Sequence, residues 1–168
     1  MENDKVPYIC GPLTELPLEI REWLKPFYSR IADVCEKIIG KRPFVPHEHY
    51  DPIVHASFLP KEVYKKEVDQ IRKRTSILIV VAVAPSWGGG IEAGIASLDN
   101  IPIILLCPAD KIVSRLLLGI PSIRCRIVYD SQENALSMLR SMLKSEIAQK
   151  EALGKTIGDL RREIESRG

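Results

Sequence analysis

The chain alternates short apolar runs with longer helical patterns, and this alternation constrains the fold more than any other feature of the sequence. The apolar runs are rich in β-branched or aromatic residues, as buried parallel strands are. Five runs fit this description: VPYIC (6–10), FVP (44–46), SILIVVAVA (76–84), IPIILLC (101–107) and RIVYD (126–130). Between them, apolar positions recur at helical spacing over 17–39, and a charged segment over 60–74 begins with Pro60. The pattern predicts an α/β protein with a Rossmann-like (flavodoxin-like), doubly wound parallel sheet of about five strands flanked by helices.

Length and composition favour one globular domain. With 168 residues, of which 45% are hydrophobic and 27% charged, the chain can bury a full core, and no composition shift marks a second domain. We assign this domain to residues 1–148. The remaining residues, 149–168, are predicted to form a charged helical C-terminal extension.

A narrow apolar seam runs through the charged C-terminal region. Its members recur at helical spacing: Leu136, Leu139, Leu143, Ile147, Ile157, Leu160 and Ile164. Gly154 and Gly158 interrupt the pattern. A last packed helix with a solvated extension is favoured over a helix that forms a dimer, because chain ends are usually loosely attached.

Charge and apolar content exclude several classes of partner. The net charge of +2 arises from interleaved basic and acidic residues, so no dense basic face for nucleic acid is expected. No apolar run approaches the roughly 20 residues that a membrane span needs. Four cysteines without a C-x-x-C pair favour a reducing cytoplasm, and we expect an unprocessed, soluble protein.

The segment PSWGGGIEAG, residues 85–94, carries the clearest chemical signal. In a doubly wound sheet, ligands bind beyond the carboxyl ends of the strands, so this loop and the GPLTE loop that begins at Gly11 become candidates for function. Glycines let the backbone N–H groups approach a ligand, and the positive end of the following helix attracts anions. Ser86 with the glycines at 88–90 therefore resembles a phosphate cradle.

Glu92 is unusual at this position, because a carboxylate competes with phosphate for the same positive field. The two are compatible if phosphate and carboxylate address different parts of one ligand. An ionised carboxylate beside a sugar can attack the anomeric carbon and form a covalent glycosyl intermediate. The alternative is structural: the glycines permit tight packing, and Glu92 complements the helix dipole.

Other motifs are weaker. The spacing of Gly88, Gly90 and Gly94, with Asp110 beyond, is partly similar to a dinucleotide fingerprint, but it follows the third predicted strand rather than the first. No P-loop sequence is present. The loop PHEHYDP (46–52) offers too few ligands for zinc, so His47 is expected to contact sugar or base, and neither a metal nor another cofactor is predicted.

Three segments together resemble the nucleoside 2-deoxyribosyltransferase superfamily, and most closely its 2'-deoxynucleoside 5'-phosphate N-hydrolase branch. They are YICGPL at the start, KKEVDQIRKRTSILIVVAVAPSWGGGIEAGIA, and IPIILLC. The resemblance spans most of residues 6–130. It implies a nucleoside or nucleoside monophosphate substrate and a functional homodimer.

The resemblance also implies roles for individual residues. Glu92 matches the nucleophilic glutamate, Asp69 the aspartate that handles the nucleobase proton, and Tyr8 the tyrosine that orients the nucleophile. Ser86, Gly88 and Gly90 match the 5'-phosphate cradle, and Ser114 resembles a serine that reaches a neighbouring subunit's phosphate site. Without the resemblance, Asp69 reads as a solvated position in a charged helix and Tyr8 as a packed aromatic residue.

One departure bears on the substrate. The first loop, GPLTELP, has the G-P form of the deoxyribosyltransferases and lacks the serine and arginine of the N-hydrolase branch. Thr14 replaces at most one donor, which weakens the case for a monophosphate. The sequence therefore favours an N-glycosidase acting on nucleotides and leaves open a base-exchanging transferase, a non-catalytic nucleotide sensor and, less favoured because P-G-G-x-G-T is missing, a phosphoribohydrolase.

Overall fold

The computed structural model describes residues 4–14, 16–51 and 53–166, with side chains described throughout except at 150, 154–161 and 163–166. Within these residues, one parallel sheet has the order β1-β2-β3-β4 and comprises β1 (Val6–Cys10), β2 (Thr75–Val81), β3 (Ile103–Pro108) and β4 (Ile123–Tyr129). The helices are α1 (Leu18–Ile39), α2 (Pro46–Tyr50), α3 (Pro60–Arg74), α4 (Trp87–Leu98), α5 (Arg115–Leu118) and α6 (Gln132–Ser166). The α/β class and the parallel sheet flanked by helices are confirmed.

The predicted strand over 44–46 is reduced to a single bridge. Phe44 pairs in parallel with Tyr8, and its N–H donates to Pro7 O at 2.8 Å. The adjacent prolines Pro43 and Pro46 have no N–H to contribute, and Pro46 already begins α2. The described sheet therefore has four strands instead of about five, with Phe44 at the outer edge of β1.

Alternate side chains of the strands enter two separate cores, as expected when helices cover both faces of a parallel sheet. On one face Ile9, Ile79 and Ile104 pack with α1 and α6. On the other face, strand residues pack against Ile71 of α3 and Ala93 of α4. Helices α3 and α4 therefore lie on the same face of the sheet, and α4 contains the glycines of the Gly-rich segment.

Helix α6 starts with the predicted apolar seam. Leu136, Leu139 and Leu143 are buried in the core beside α1. The later members of the seam, Ile157, Leu160 and Ile164, lie outside the described side chains. No helix in the described part of the chain is both long and apolar enough to cross a membrane.

A buried carboxylate anchors the segment between α2 and α3 to α1. Asp51 is 2% exposed, and its Oδ1 accepts hydrogen bonds from the N–H groups of Ile53 and Val54. Its Oδ2 lies 2.8 Å from Lys25 Nζ, and Arg21 Nη2 is 3.8 Å from Oδ1. Burial alone would raise the pKa of Asp51, but the bonds from Lys25 and the two backbone donors outweigh burial and hold the pKa below its usual value.

We predict that Asp51→Asn lowers the free energy of unfolding by about 3 kcal/mol, because the buried Arg21 and the half-buried Lys25 each lose a counter-charge. Since the folded pKa of Asp51 is depressed, its contribution is full above the unfolded pKa of about 4 and declines progressively as the pH falls from that value toward the folded pKa. Urea unfolding of both proteins between pH 3 and pH 7 measures this.

The matched control is Asp33→Asn, because Asp33 also pairs with an arginine but its side chain is 64% exposed. It should change the free energy of unfolding by less than about 0.5 kcal/mol. Equal effects of the two substitutions would contradict a structural role for the Asp51 anchor.

Candidate active site

The first turn of α4 contains all three consecutive glycines. Ser86 is the N-cap residue with extended backbone, and its Oγ accepts a hydrogen bond from Gly89 N at 3.1 Å. The Gly-rich pattern predicts a turn before the helix, with Glu92 in the first helical turn. The helix already begins at Trp87, however, so Glu92 lies in the second turn.

Helix α4 approaches the end of β1 closely at Gly89. A Cβ atom on Gly89 would lie 3.2 Å from Cys10 Sγ and 3.4 Å from Ser86 Oγ. By contrast, a Cβ on Gly88 or Gly90 would have no atom within 4 Å. Gly89 thus lets the helix pack onto β1, whereas Gly88 and Gly90 leave open space that a ligand can use.

The close packing of α4 on β1 brings the Glu92 carboxylate into contact with the Tyr8 side chain. Tyr8 is fully buried, its hydroxyl donates a hydrogen bond to Glu92 Oε1, and Glu92 is 9% exposed. Burial raises the pKa of Glu92, while hydrogen bonds from Cys10 and Tyr8 act in the opposite direction. Burial is the largest of these influences on the pKa of Glu92.

Glu92 lines a cavity of about 630 Å³ at the carboxyl ends of β1 and β2. Of the residues predicted for the site, Gly11, His47, Ser86 and Gly88 also line it. The His47 ring lies 5.7 Å from the Tyr28 ring, and burial is the main reason why the pKa of His47 is lowered. Trp87, at the rim, is 85% exposed.

Asp69 does not reach this cavity. Its side chain is 45% exposed and lies 2.7 Å from Lys73 Nζ, one turn further along α3. The hydrogen bond from Lys73 is the main reason why the pKa of Asp69 is lowered. A carboxylate that stays ionised on the outer face of α3 does not suit the proton-donating role that the resemblance implied.

Glu67, which the sequence analysis missed, lines the cavity instead. Burial and the nearby Glu92 carboxylate raise its pKa to about 7. Helical spacing could have revealed it: Glu67 lies one turn before the fully buried Ile71, whereas Asp69 is rotated by about 200° from Glu67 around the helix.

Aromatic side chains form part of the cavity wall, called here the aromatic wall. Tyr50, Phe58 and Tyr64 line the cavity, and the rings of Tyr50 and Phe58 meet edge to face at 5.6 Å. Lys66 Nζ lies 4.1 Å from the centre of the Phe58 ring, a cation–π contact that connects the 53–58 segment to α3. Such a wall offers flat apolar surface to a planar ring.

Ser114 and Gly90 line a second cavity of about 300 Å³. It shares Gly11, Ser86 and Gly89 with the first cavity but not Glu92. The structure therefore does not bring Ser114 to Glu92 within one chain. Among the described residues, no group of three or more His, Cys, Asp or Glu side chains is arranged to hold a metal ion.

Solved structures share this fold. No protein-family model and no curated protein sequence matches the chain. The CMP N-glycosidase BcmB of Clostridium botulinum superposes with a TM-score of 0.55 at 22% identity, covering 80% of this chain and 97% of that one. BlsM, solved in solution, gives 0.60 at 18% identity, covering 90% and 96%. A conserved protein of Enterococcus faecalis V583 gives 0.56 at 15%, covering 82% and 98%.

We predict that Gly11→Ala destabilises the protein by about 2 kcal/mol, because the new Cβ would lie 2.5–2.8 Å from the hydroxyl oxygen and two ring carbons of the buried Tyr28 side chain. Tyr28 also donates to Pro12 O in the same loop. Gly94→Ala is the control, since its Cβ would meet nothing within 4 Å, and it should stabilise α4 by up to about 1 kcal/mol. Thermal unfolding of both variants measures the difference, and equal destabilisation would contradict the clash.

Proposed function

We propose that this protein is an N-glycosidase that hydrolyses the N-glycosidic bond of nucleoside 5'-monophosphates through a covalent glycosyl ester of Glu92. One observation carries the proposal: two carboxyl groups of different character, Glu92 and Glu67, line the same cavity. Retaining glycosidases use such a pair, one as the nucleophile and one as the acid and base. The resemblance to the nucleoside 2-deoxyribosyltransferase superfamily and the shared fold of a CMP N-glycosidase support it.

Glu92 suits the role of nucleophile. The Tyr8 hydroxyl holds one carboxylate oxygen, which limits the orientations that the side chain can adopt. Burial and the two nearby carboxylates raise the pKa of Tyr8 well above its usual value, so the phenol stays a donor at every physiological pH. A held, poorly solvated carboxylate can attack the anomeric carbon C1' without first shedding a full hydration shell.

Glu67 suits the role of acid and base. With a pKa of about 7 it is substantially protonated at neutral pH. In the first step the bond from C1' to the base nitrogen breaks, Glu67 gives its proton to the departing base, and the ester to Glu92 forms. In the second step Glu67 takes a proton from water, the water oxygen bonds to C1', and the ester bond breaks to release the sugar.

The start of α4 suits the phosphate. Ser86 and Gly88 line the cavity beside the positive end of the helix, where the first N–H groups lack intrahelical acceptors. The aromatic wall of Tyr50, Phe58 and Tyr64 is placed to receive the planar base. Phosphate at one end and base at the other leave the sugar between the two carboxyl groups.

We further propose a homodimer. Ser114 lies away from Glu92 in its own chain, as a residue that serves a neighbouring subunit would. Ile112 is fully exposed and Leu116 is 86% exposed beside it, which is surface that a partner copy would cover. Light scattering of the wild type tests the assembly, and a monomer at micromolar concentration would rule it out.

We predict that Glu92→Gln lowers kcat on the order of 10⁴-fold, because it removes the nucleophile. Glu67→Gln should lower kcat about 10²- to 10⁴-fold by removing the acid. Asp69→Asn, on the outer face of α3, should keep kcat within about two-fold of wild type. Release of free base from a panel of ribo- and deoxynucleoside monophosphates measures all three, and a larger loss in Asp69→Asn than in Glu67→Gln would overturn the assignment.

The pH dependence gives a separate prediction. Because Glu67 must be protonated in the first step, kcat/KM should fall as the pH rises through about 7, and Glu67→Gln should lose this limb. Initial rates between pH 5 and pH 9 measure it. A profile that stays flat in that range for the wild type would contradict Glu67 as the acid.

The experiment that tests the reaction uses intact mass. Rapid quenching of the protein with a nucleoside monophosphate should show the mass of one glycosyl group on the wild type and none on Glu92→Gln. A second free base in the mixture distinguishes the acceptor: hydrolysis gives free sugar phosphate, whereas base exchange would identify a transferase. Binding without turnover on any substrate of the panel would instead identify a nucleotide sensor.

A further inference from the structure

We propose that Phe44 is a positioning residue for the Glu92 carboxylate: its ring stacks on the ring of Tyr8 and keeps the Tyr8 hydroxyl in hydrogen-bonding contact with Glu92. This inference rests on the proposed function for its catalytic meaning, because Glu92 is the proposed nucleophile. The ring contact and the hydrogen bond can be tested without any turnover.

Tyr8 lies on an edge strand, so a neighbouring strand covers it on one side only. In the described sheet β1 pairs with β2, and Leu78 of β2 is the register partner of Tyr8. On the opposite side, Phe44 forms an isolated parallel bridge with Tyr8. Paired residues of adjacent strands have neighbouring side chains on the same face. The Tyr8 side chain therefore stands between Leu78 and Phe44, and all three belong to the core on the α3 and α4 face.

Two backbone hydrogen bonds hold Phe44 in this place. The N–H of Phe44 donates to Pro7 O at 2.8 Å, and its carbonyl oxygen accepts from the N–H of Ile9 at 2.9 Å. Pro7 and Ile9 flank Tyr8 in the sequence, so both bonds fix Phe44 directly beside Tyr8. The nearby prolines prevent this pairing from extending into a strand. The single bridge thus brings one aromatic ring to one position on β1.

The rings of Phe44 and Tyr8 are stacked. Their centroids are 5.2 Å apart, and the angle between their planes is 26°. Phe44 also stacks on His49 of α2, with centroids 4.5 Å apart and planes 12° from parallel. The three rings follow one another from the fully buried Tyr8 through the half-buried Phe44 to the exposed His49. Phe44 is therefore supported by α2 as well as by its backbone hydrogen bonds.

The shape of a tyrosine side chain explains what this contact does. The hydroxyl oxygen lies on the long axis of the ring, so rotation of the ring about that axis does not move the oxygen. Displacing the oxygen requires the ring to swing sideways about the Cα–Cβ bond. Leu78 blocks this movement towards β2, and Phe44 blocks it towards the edge of the sheet. Without the Phe44 ring, the space on that side lets the Tyr8 hydroxyl move away from Glu92.

Phe44 acts on Glu92 through Tyr8 and not through the substrate. Neither aromatic ring is among the described residues that line the cavity of about 630 Å³. Loss of the Phe44 ring should therefore affect kcat more than KM. We predict that Phe44→Leu lowers kcat about ten-fold and keeps KM within about two-fold of wild type. Tyr8→Phe should lower kcat about 10- to 100-fold, the range for a hydrogen bond to a charged group.

A double-mutant cycle tests the connection between the two residues. If Phe44 acts through the Tyr8 hydroxyl, Phe44→Leu should lower kcat by less than about two-fold in a protein that already carries Tyr8→Phe. A ten-fold loss in both backgrounds would show that Phe44 acts independently of Tyr8, and it would overturn the proposal.

NMR of the unliganded protein reads the hydrogen bond directly, with ¹³C at the Cζ atom of the five tyrosines. The Tyr8 signal is assigned by its loss in Tyr8→Phe. Phe44→Leu should move this signal towards its position in Glu92→Gln, where a neutral acceptor replaces the charged one. Phe44→Tyr keeps a ring to stack on Tyr8, so both the signal and kcat should remain close to wild type.

The matched control is Phe27→Leu. Phe27 is 1% exposed and packs on another tyrosine, Tyr129, with ring centroids 6.1 Å apart in the core on the other face of the sheet. The substitution should lower the thermal unfolding midpoint at least as much as Phe44→Leu, because the ring that it removes is more deeply buried. It should leave the Tyr8 signal and kcat unchanged. An equal shift of the Tyr8 signal in both variants would overturn the positioning role.

The two levels of the proposal fail separately. A wild-type protein without glycosidase activity on the nucleotide panel would overturn the proposed function, and the NMR comparison would still decide the ring contact. A Tyr8 signal that does not move in Phe44→Leu would overturn the positioning role even in an active enzyme. If Phe44→Leu does not fold, Phe44→Met, which fills much of the same space without a ring, takes its place with the same expected outcomes.

Discussion

The close contact between the first turn of α4 and the end of β1 is the constraint on which the candidate site depends. Because position 89 has no side chain, the helix settles within 3.8 Å of the Cys10 sulfur. This close packing brings Glu92, one turn further along α4, into hydrogen-bonding contact with the Tyr8 hydroxyl. A larger residue at 89 would lift the helix and separate the carboxylate from the groups that orient it. The glycines are therefore not equivalent: Gly89 allows the helix to pack on β1, whereas Gly88 and Gly90 leave open space beside the helix.

The electrostatics of the cavity follow from the same geometry. Glu92 is buried but receives hydrogen bonds, whereas Glu67 has burial and a like charge acting together on its pKa. Two carboxyl groups in one cavity thereby acquire different affinities for a proton. The proposed glycosidic cleavage requires such a difference, with one carboxyl group as nucleophile and the other as acid.

Much of the fold could be predicted from the sequence, because buried parallel strands leave near-continuous apolar runs. The run at 44–46 does not form a strand, because the prolines in and beside it have no N–H group to donate to a neighbouring strand. The residue types indicate this limit, but the hydrophobicity of the run does not. At the site, the nearness of Tyr8 to Glu92 depends on pairing between distant strands and was available only through the resemblance. Glu67 was within reach of sequence reasoning: the buried side of α3 could be read from Ile71.

The burial of Glu92 has a consequence for the evolution of the chain. A carboxyl group held away from water opposes folding, and an apolar side chain of similar volume at that position would pack against Tyr8 with less loss of hydration. Selection for heat resistance alone would therefore discard this glutamate early. Its presence in a helix that otherwise suits small apolar residues lowers stability, and the proposed catalytic role of Glu92 accounts for this cost.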